Sequence, residues 1–146
     1  MNLVVMCVGN REGGDDAVGP YIADQFKERK VDFEVIDCGI APENFTSVVK
    51  RLKPSILIII DAVEMGIDPG DIRIIPKEKI GVMHVSTHGI PLSILIEYFN
   101  RFVKKVVLLG IQPKNMSGFM SDIVKDSADR LTELIIENRL GIIDEL

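Results

Sequence analysis

Three separate places in the sequence carry side chains that could bind a metal ion or transfer a proton. Asp15 and Asp16 belong to a glycine-rich loop near the start, Asp61 follows an apolar run, and His88 lies within Ser86-Thr87-His88-Gly89. Two carboxylates and one imidazole suit zinc, nickel or a similar divalent ion and leave coordination positions open. Spacing along the chain does not establish that the three places meet.

Each of these residues also has an ordinary structural interpretation. Asp15 or Asp16 could cap the helix that is predicted to follow them, and Asp61 could cap the turn after its strand. A single loop histidine such as His88 is more often neither a ligand nor a catalyst. The residue pattern alone leaves both interpretations open at all three places.

The first loop, residues 9–19, has the position of a nucleotide-binding loop but not its chemistry. It lacks the dinucleotide fingerprint Gly-x-Gly-x-x-Gly and the Walker lysine. Glu12, Asp15 and Asp16 would place negative charge at the positive end of the following helix, where a phosphate would otherwise bind. The chain also has no His-Glu-x-x-His motif and no Gly-x-Ser-x-Gly nucleophile elbow, which argues against two common hydrolase classes.

Charge and cysteine usage limit the cellular setting. The net charge of −5 argues against broad binding to nucleic acid or anionic lipid. Cys7 and Cys38 both lie in apolar segments and are predicted to be buried, reduced thiols, as expected in the cytosol. Residues Met1–Val8 lack the basic start of a signal peptide, and the run Ile56–Ile60 is too short to span a bilayer. We expect a cytoplasmic protein with no nucleic-acid partner and no membrane insertion.

The elements that must position the candidate residues alternate between strands and helices. Strands are predicted at Leu3–Val8, Phe33–Cys38, Ser55–Ile60, Asp71–Ile75 and Lys105–Ile111, and helices at Ala17–Arg29, Pro42–Leu52, Pro91–Phe102 and Asp122–Asn138. The last helix is predicted to bury one face, formed by Ile123, Ala128, Leu131, Leu134 and Ile135. This alternation over 146 residues predicts a single α/β domain, residues 1–146, with a mostly parallel sheet. Ligands bind such sheets beyond the carboxyl ends of the strands, here the loops after Val8, Ile60 and Ile111.

Several stretches of the chain, taken together, resemble one known family. They are Cys7-Val8-Gly9-Asn10, Gly14-Asp15-Asp16-Ala17-Val18-Gly19-Pro20, Asp61-Ala62-Val63, Pro69-Gly70-Asp71-Ile72-Arg73, Ser86-Thr87-His88-Gly89-Ile90-Pro91-Leu92 and Leu109-Gly110-Ile111-Gln112-Pro113. In this order, and over nearly the whole chain, they resemble the hydrogenase maturation endopeptidases, most closely those serving hydrogen-evolving, membrane-associated nickel–iron hydrogenases. The loop residues Arg11, Glu12 and Gly13 depart from the more apolar versions common in that family.

The resemblance implies a fold and a set of site residues. The fold is a phosphorylase/hydrolase-like, three-layer α/β/α domain whose five-stranded sheet has the order 2-1-3-5-4, with the fourth strand antiparallel. The implied metal-contacting and catalytic residues are Asp16, Asp61 and His88, with Asp15 a neighbour and not a ligand.

The resemblance also implies a reaction and a partner. The substrate is the nickel-loaded precursor of a hydrogenase large subunit, from which the protease removes a C-terminal extension. The nickel is carried by the substrate, although other divalent metals can occupy the site in isolation. As a separate hypothesis about the mechanism, Asp16 or Asp61 could act as general base. The simplest arrangement is a monomer that binds its substrate transiently. Two rival hypotheses are a non-enzymatic metal- or nucleotide-binding α/β module and an unrelated zinc-dependent amidase.

Overall fold

A five-stranded sheet lies at the centre of the protein. The computed structural model describes residues 2–81 and 89–146. The strands are β1 (Leu3–Val8), β2 (Glu34–Gly39), β3 (Ile56–Ala62), β4 (Ile72–Ile75) and β5 (Lys105–Ile111), in the order β2-β1-β3-β5-β4. β4 is antiparallel to β5, and the other neighbouring strands are parallel. The predicted strand order and the antiparallel fourth strand are both confirmed.

Helices cover both faces of the sheet and make the three layers. They are α1 (Val18–Arg29), α2 (Thr46–Leu52), the short α3 (Lys77–Ile80), α4 (Leu92–Phe99) and α5 (Asp122–Ile136), with 3-10 turns at Gly14–Ala17, Pro42–Phe45 and Leu140–Ile142. One core cluster joins the sheet to α1 and α5. The other joins it to α2 and α4.

The central strands are apolar on both sides because helices cover both sides. Every residue of β1 from Val4 to Val8 is fully buried, as are Leu57, Ile59 and Ile60 of β3. Alternate residues of each strand belong to opposite core clusters, as the strand period of two requires. A side chain at the carboxyl end of β3 is therefore held by a backbone that is paired on both edges, to β1 and to β5.

Several predicted bounds are shifted by a few residues and α3 was not predicted; three differences concern the candidate site or the core. The first α-helix begins at Val18, after the 3-10 turn, and Ala17 occupies its N-cap position without a side-chain hydrogen bond, so neither aspartate caps it. β3 extends to Ala62, so Asp61 lies inside the strand rather than after it. In α5 the buried face contains Val124 and not Ile123, which is exposed. Val124 falls on the face of Ala128 and Leu131 at helical spacing, and Ile123 is rotated away from it.

The outer edge of β4 is covered by the last residues of the chain, for which no structure was predicted. The Ile74 N–H donates to the Asp144 carbonyl at 2.9 Å, and the Leu146 N–H donates to the Ile74 carbonyl at 2.9 Å. This segment satisfies backbone groups that an edge strand otherwise leaves open to pairing with another chain.

Candidate active site

Asp61 is a fully buried carboxylate at the carboxyl end of the central strand β3. It pairs in register with Gly110 of β5 and has an exposed fraction of 0%. Neither of its carboxylate oxygens has a hydrogen-bond partner among the described residues. Buried carboxylates are normally paired or hydrogen-bonded, because moving such a charge from water into protein costs free energy. An unsatisfied one at a strand end therefore indicates a site built for something other than stability.

The electrostatic setting of Asp61 favours its protonated form when nothing is bound. Burial raises the pKa of the Asp61 carboxyl well above its ordinary value, and the nearby charge of Asp16 raises it further. The Ala62 N–H partly offsets the shift in pKa, although it does not reach hydrogen-bonding geometry. A cation placed between the two carboxylates would reverse both effects, because it would stabilise their charged forms.

Asp16 is placed beside Asp61 by the loop that follows β1. It is 4% exposed, and its Oδ2 accepts a hydrogen bond from the Asn10 N–H at 3.1 Å. Gly9, at the end of β1, lies so close to this turn that a β-carbon there would overlap the carbonyl oxygen of Asp16. The absence of a β-carbon at Gly9 therefore allows the Asp16 backbone to pack over the end of the sheet. In a nucleotide-binding loop the glycine would instead let the backbone approach a phosphate.

The third predicted residue, His88, lies outside the described residues. The first described residue after it is Gly89, where a β-carbon would overlap the carboxylate of Glu43. Glu43 belongs to the 3-10 turn that follows β2, so Gly89 lies near the carboxyl end of that strand. Among the described residues, no group of three His, Cys, Asp or Glu side chains is arranged to hold a metal ion. The metal set Asp16, Asp61 and His88 stays a prediction, of which the structure brings the two carboxylates together.

Asp15 points away from Asp61 and holds a distant loop. Its carboxylate accepts the backbone N–H groups of Lys114, Asn115 and Ser121 at 2.7, 2.9 and 2.7 Å, and also the Ser121 hydroxyl. Burial alone would raise the pKa of Asp15, but these hydrogen bonds outweigh it and the pKa is lowered. We call this arrangement the Asp15 clamp. From the sequence, Asp15 is predicted only as a helix cap or as a neighbour of Asp16, because its hydrogen-bond partners lie about a hundred residues away in the chain.

Gln112 joins the ends of β5 and β3 and was given no role from the sequence. Its side chain is almost fully buried. The amide oxygen accepts the Met65 N–H at 2.6 Å, and the amide nitrogen donates to Oε2 of Glu64 at 2.6 Å. The sequence does contain one signal for this role: Gln112 comes directly after an apolar predicted strand. An amide that is buried there is expected to form hydrogen bonds.

The two cysteines do not take part in this site as nucleophiles. Both are free and buried, as predicted. They face opposite core clusters although they lie on neighbouring strands, so they are not placed to form a disulfide. Burial raises the pKa of both thiols, and the nucleophilic thiolate is therefore disfavoured at Cys7 and Cys38.

Comparison with known proteins agrees with this fold. The hydrogenase maturation protease (HycI) family profile matches residues 18–138. The hydrogenase 3 maturation protease of Escherichia coli K12 is 40% identical over 134 residues, covering 88% of this chain and 85% of its own. The chain belongs to the hydrogenase maturation protease family. It is accordingly a hydrolase, an endopeptidase of the HycI type.

Solved structures of such proteases share the whole architecture of this one. The solution structure of the endopeptidase HycI from E. coli superimposes with a TM-score of 0.91 at 35% identity, covering 100% of this chain and 97% of that one. The maturation protease HycI of Thermococcus kodakarensis gives a TM-score of 0.83 at 33% identity, covering 94% and 92%. In the part of this protease that the structure describes, no helix combines the length and apolarity needed to cross a membrane.

Proposed function

We propose that this maturation protease removes the C-terminal extension from the nickel-loaded precursor of a nickel–iron hydrogenase large subunit. It recognises the substrate's nickel through Asp16, Asp61 and His88. The observation that carries this proposal is the fully buried Asp61 carboxylate beside Asp16, with no hydrogen-bond partner for Asp61 in the described residues. Two buried carboxylates that both carry charge repel each other, so their ionised forms are unfavourable alone. A cation bound between them would stabilise both charged forms.

The three proposed ligands, Asp16, Asp61 and His88, suit a metal ion that is carried by the substrate better than one that is bound permanently by the protease. Two carboxylates and one imidazole, without a fourth protein ligand, should bind free divalent metal only modestly. The ion then arrives with the precursor, and a precursor without nickel is not cut. When bound, the ion supplies Lewis acidity, which either polarises the scissile carbonyl or lowers the pKa of an attacking water.

The chain's own residues hold the reacting groups and accept the proton. A carboxylate whose pKa is raised by burial is a stronger proton acceptor than an ordinary one, once it is ionised. Asp61 has this property, and Asp16 adjoins it, so one of these two aspartates acts as the general base. We further propose that the protease works in the cytoplasm as a monomer.

One experiment tests the proposal. The protein is mixed with nickel-loaded and with nickel-free precursor, and the C-terminal mass of the large subunit is measured. Shortening of the loaded form alone is expected. Asp16→Asn, Asp61→Asn and His88→Ala should abolish it, whereas Asp68→Asn, at an exposed position, should retain it.

Other outcomes would favour a different function. Shortening of both precursor forms would contradict the recognition of nickel. Hydrolytic activity that increases with the zinc content of the purified protein, whether or not the precursor carries nickel, would favour a zinc-dependent amidase. If neither precursor were shortened, a binding module would be the better description. Wild-type processing by His88→Ala would remove that residue from the site.

A further inference from the structure

The loop between β5 and α5, residues 113–121, presents large apolar side chains to solvent. Phe119 is 96% exposed and Met116 is 45% exposed. Water contact on a whole phenyl ring forgoes the free energy that burial would give. Exposed aromatic and methionine side chains are enriched where proteins bind other proteins. We name this segment the Phe119 loop.

The Phe119 loop is held in shape by its own hydrogen bonds. The Asn115 side-chain amide donates to the carbonyls of Ser117 and Phe119 at 3.1 and 3.2 Å. Gly14 packs against it with a positive φ of 63°, and a β-carbon there would lie 2.6 Å from the Ser117 nitrogen. A preorganised loop loses less conformational entropy when a partner binds to it.

The loop is continuous with the candidate active site. The Asp15 clamp fixes the backbone of Lys114, Asn115 and Ser121, and Asp15 is the chain neighbour of Asp16. The loop is therefore anchored to the chain neighbour of Asp16, and we expect a protein substrate that reaches Asp16 to extend over it. Lys114 is the only charged residue in the segment 113–121, so the surface that it offers is mainly apolar.

We propose that Phe119 and Met116 form a docking surface for the hydrogenase large-subunit precursor and contact an apolar patch on it. This inference rests on the proposed function, because it assigns the partner of the same site. Phe119 is a specificity-determining residue in this scheme, and it takes no part in the chemistry. Removing its ring should weaken binding of substrate and transition state alike, which raises KM and leaves kcat unchanged.

The test compares Phe119→Ser with Phe119→Leu, and with Ile142→Ser as a matched control. Ile142 is a half-exposed residue of the 3-10 turn Leu140–Ile142, outside the Phe119 loop. Precursor binding is measured by titration calorimetry, and processing of loaded precursor is measured as kcat and KM. Phe119→Ser should weaken binding and raise KM by about 10- to 100-fold, the factor that corresponds to burying a phenyl side chain. Phe119→Leu should lie in between, and Ile142→Ser should match the wild type.

The outcomes separate this inference from the proposed function. If the wild type processes precursor and Phe119→Ser has the same KM and affinity as the wild type, the proposed docking role of Phe119 is wrong. The proposed protease function is then still supported. If the wild type binds but does not cleave, the proposed function fails, and weaker binding by Phe119→Ser still supports docking. A wild type that neither binds nor cleaves overturns both. Phe119→Ser should leave the midpoint of thermal unfolding unchanged, and a fall in kcat alone would overturn the docking role.

Discussion

Replacing Asp61 by asparagine should change how the stability of the metal-free protein depends on pH. Burial and the charge of Asp16 raise the pKa of Asp61 in the folded state above its value in the unfolded chain. Between those two pKa values the folded state holds more protons than the unfolded state, so the free energy of unfolding falls as pH rises. The asparagine side chain carries no titrating proton, so the variant loses this contribution.

The expected magnitude follows from the proton count. One proton held only by the folded state gives a slope of about 1.4 kcal/mol per pH unit within the window, which opens at about pH 4, the ordinary pKa of an aspartate. Relative to wild type, Asp61→Asn should therefore become more stable by about that amount with each pH unit above 4. The gain stops growing at the raised pKa of Asp61. Each kcal/mol corresponds to a shift of about 4 °C in the unfolding midpoint of a domain of this size.

The assay is urea denaturation in the presence of a chelator at several pH values between 4 and 8, on wild type, Asp61→Asn and Asp68→Asn. Asp68 is exposed, and its variant serves as the control for the substitution of an aspartate by asparagine. The same Asp61→Asn protein should not process precursor, which separates stability from function at one residue. Parallel curves for wild type and Asp61→Asn would refute the reasoning, because they would show that Asp61 titrates as an ordinary carboxyl.

Four further substitutions are expected to destabilise the protein by different amounts. Asp15→Asn should lower the free energy of unfolding by about 2–4 kcal/mol at neutral pH, because the Asp15 clamp loses its charged acceptor. The pKa of Asp15 is lowered in the folded state, so this loss should begin to shrink below about pH 4, the ordinary pKa of an aspartate, and should disappear only below the lowered folded-state pKa. Gly9→Ala should destabilise by about 3 kcal/mol or more through overlap with Asp16, whereas Gly39→Ala, with open space around it, should cost only about 1 kcal/mol. Phe99→Ala should cost about 3–5 kcal/mol, because Phe99 is fully buried in the α4 core.

All four variants are measured by urea denaturation at pH 7, and wild type and Asp15→Asn are also measured at a series of pH values that descends from 4. A destabilisation of Asp15→Asn that stays constant over this acidic series would contradict the charged clamp. Equal effects of the two glycine variants would contradict the close approach of the first loop to the sheet. A Phe99→Ala variant as stable as the wild type would mean that the core beneath α4 is not packed as described.

The sequence predicted what local periodicity and short motifs can encode. The apolar runs located the strands, and the resemblance supplied their order and the antiparallel β4. The predicted buried face of α5 was wrong at one position, because Ile123 does not lie at helical spacing from Ala128 and Leu131, whereas Val124 does. The packing of α5 against α1 and the sheet buries Val124.

The two neighbouring aspartates show the same limit at the candidate site. Asp15 and Asp16 are indistinguishable by type and by position in a glycine-rich loop. The 3-10 turn at Gly14–Ala17 directs one carboxylate toward residues 114–121 and leaves the other beside Asp61. That division depends on contacts about a hundred residues apart, which no local pattern contains. The structure places Asp16 and Asp61 near each other, and their role as metal ligands stays a prediction. The loop held by Asp15 was not predicted.

The Asp15 clamp has a consequence for the order in which the protein becomes active during synthesis. The clamp joins Asp15 to residues 99 to 106 positions later in the chain. Closing a contact of such high sequence separation is a late event, because the loop between the partners must first lose its freedom. A nascent chain that ends before Lys114 already contains Asp16 and Asp61 but cannot yet fix the first loop. Assembly of the candidate active site is thus tied to completion of β5 and the start of α5, and we expect chains that end before Lys114 to be inactive.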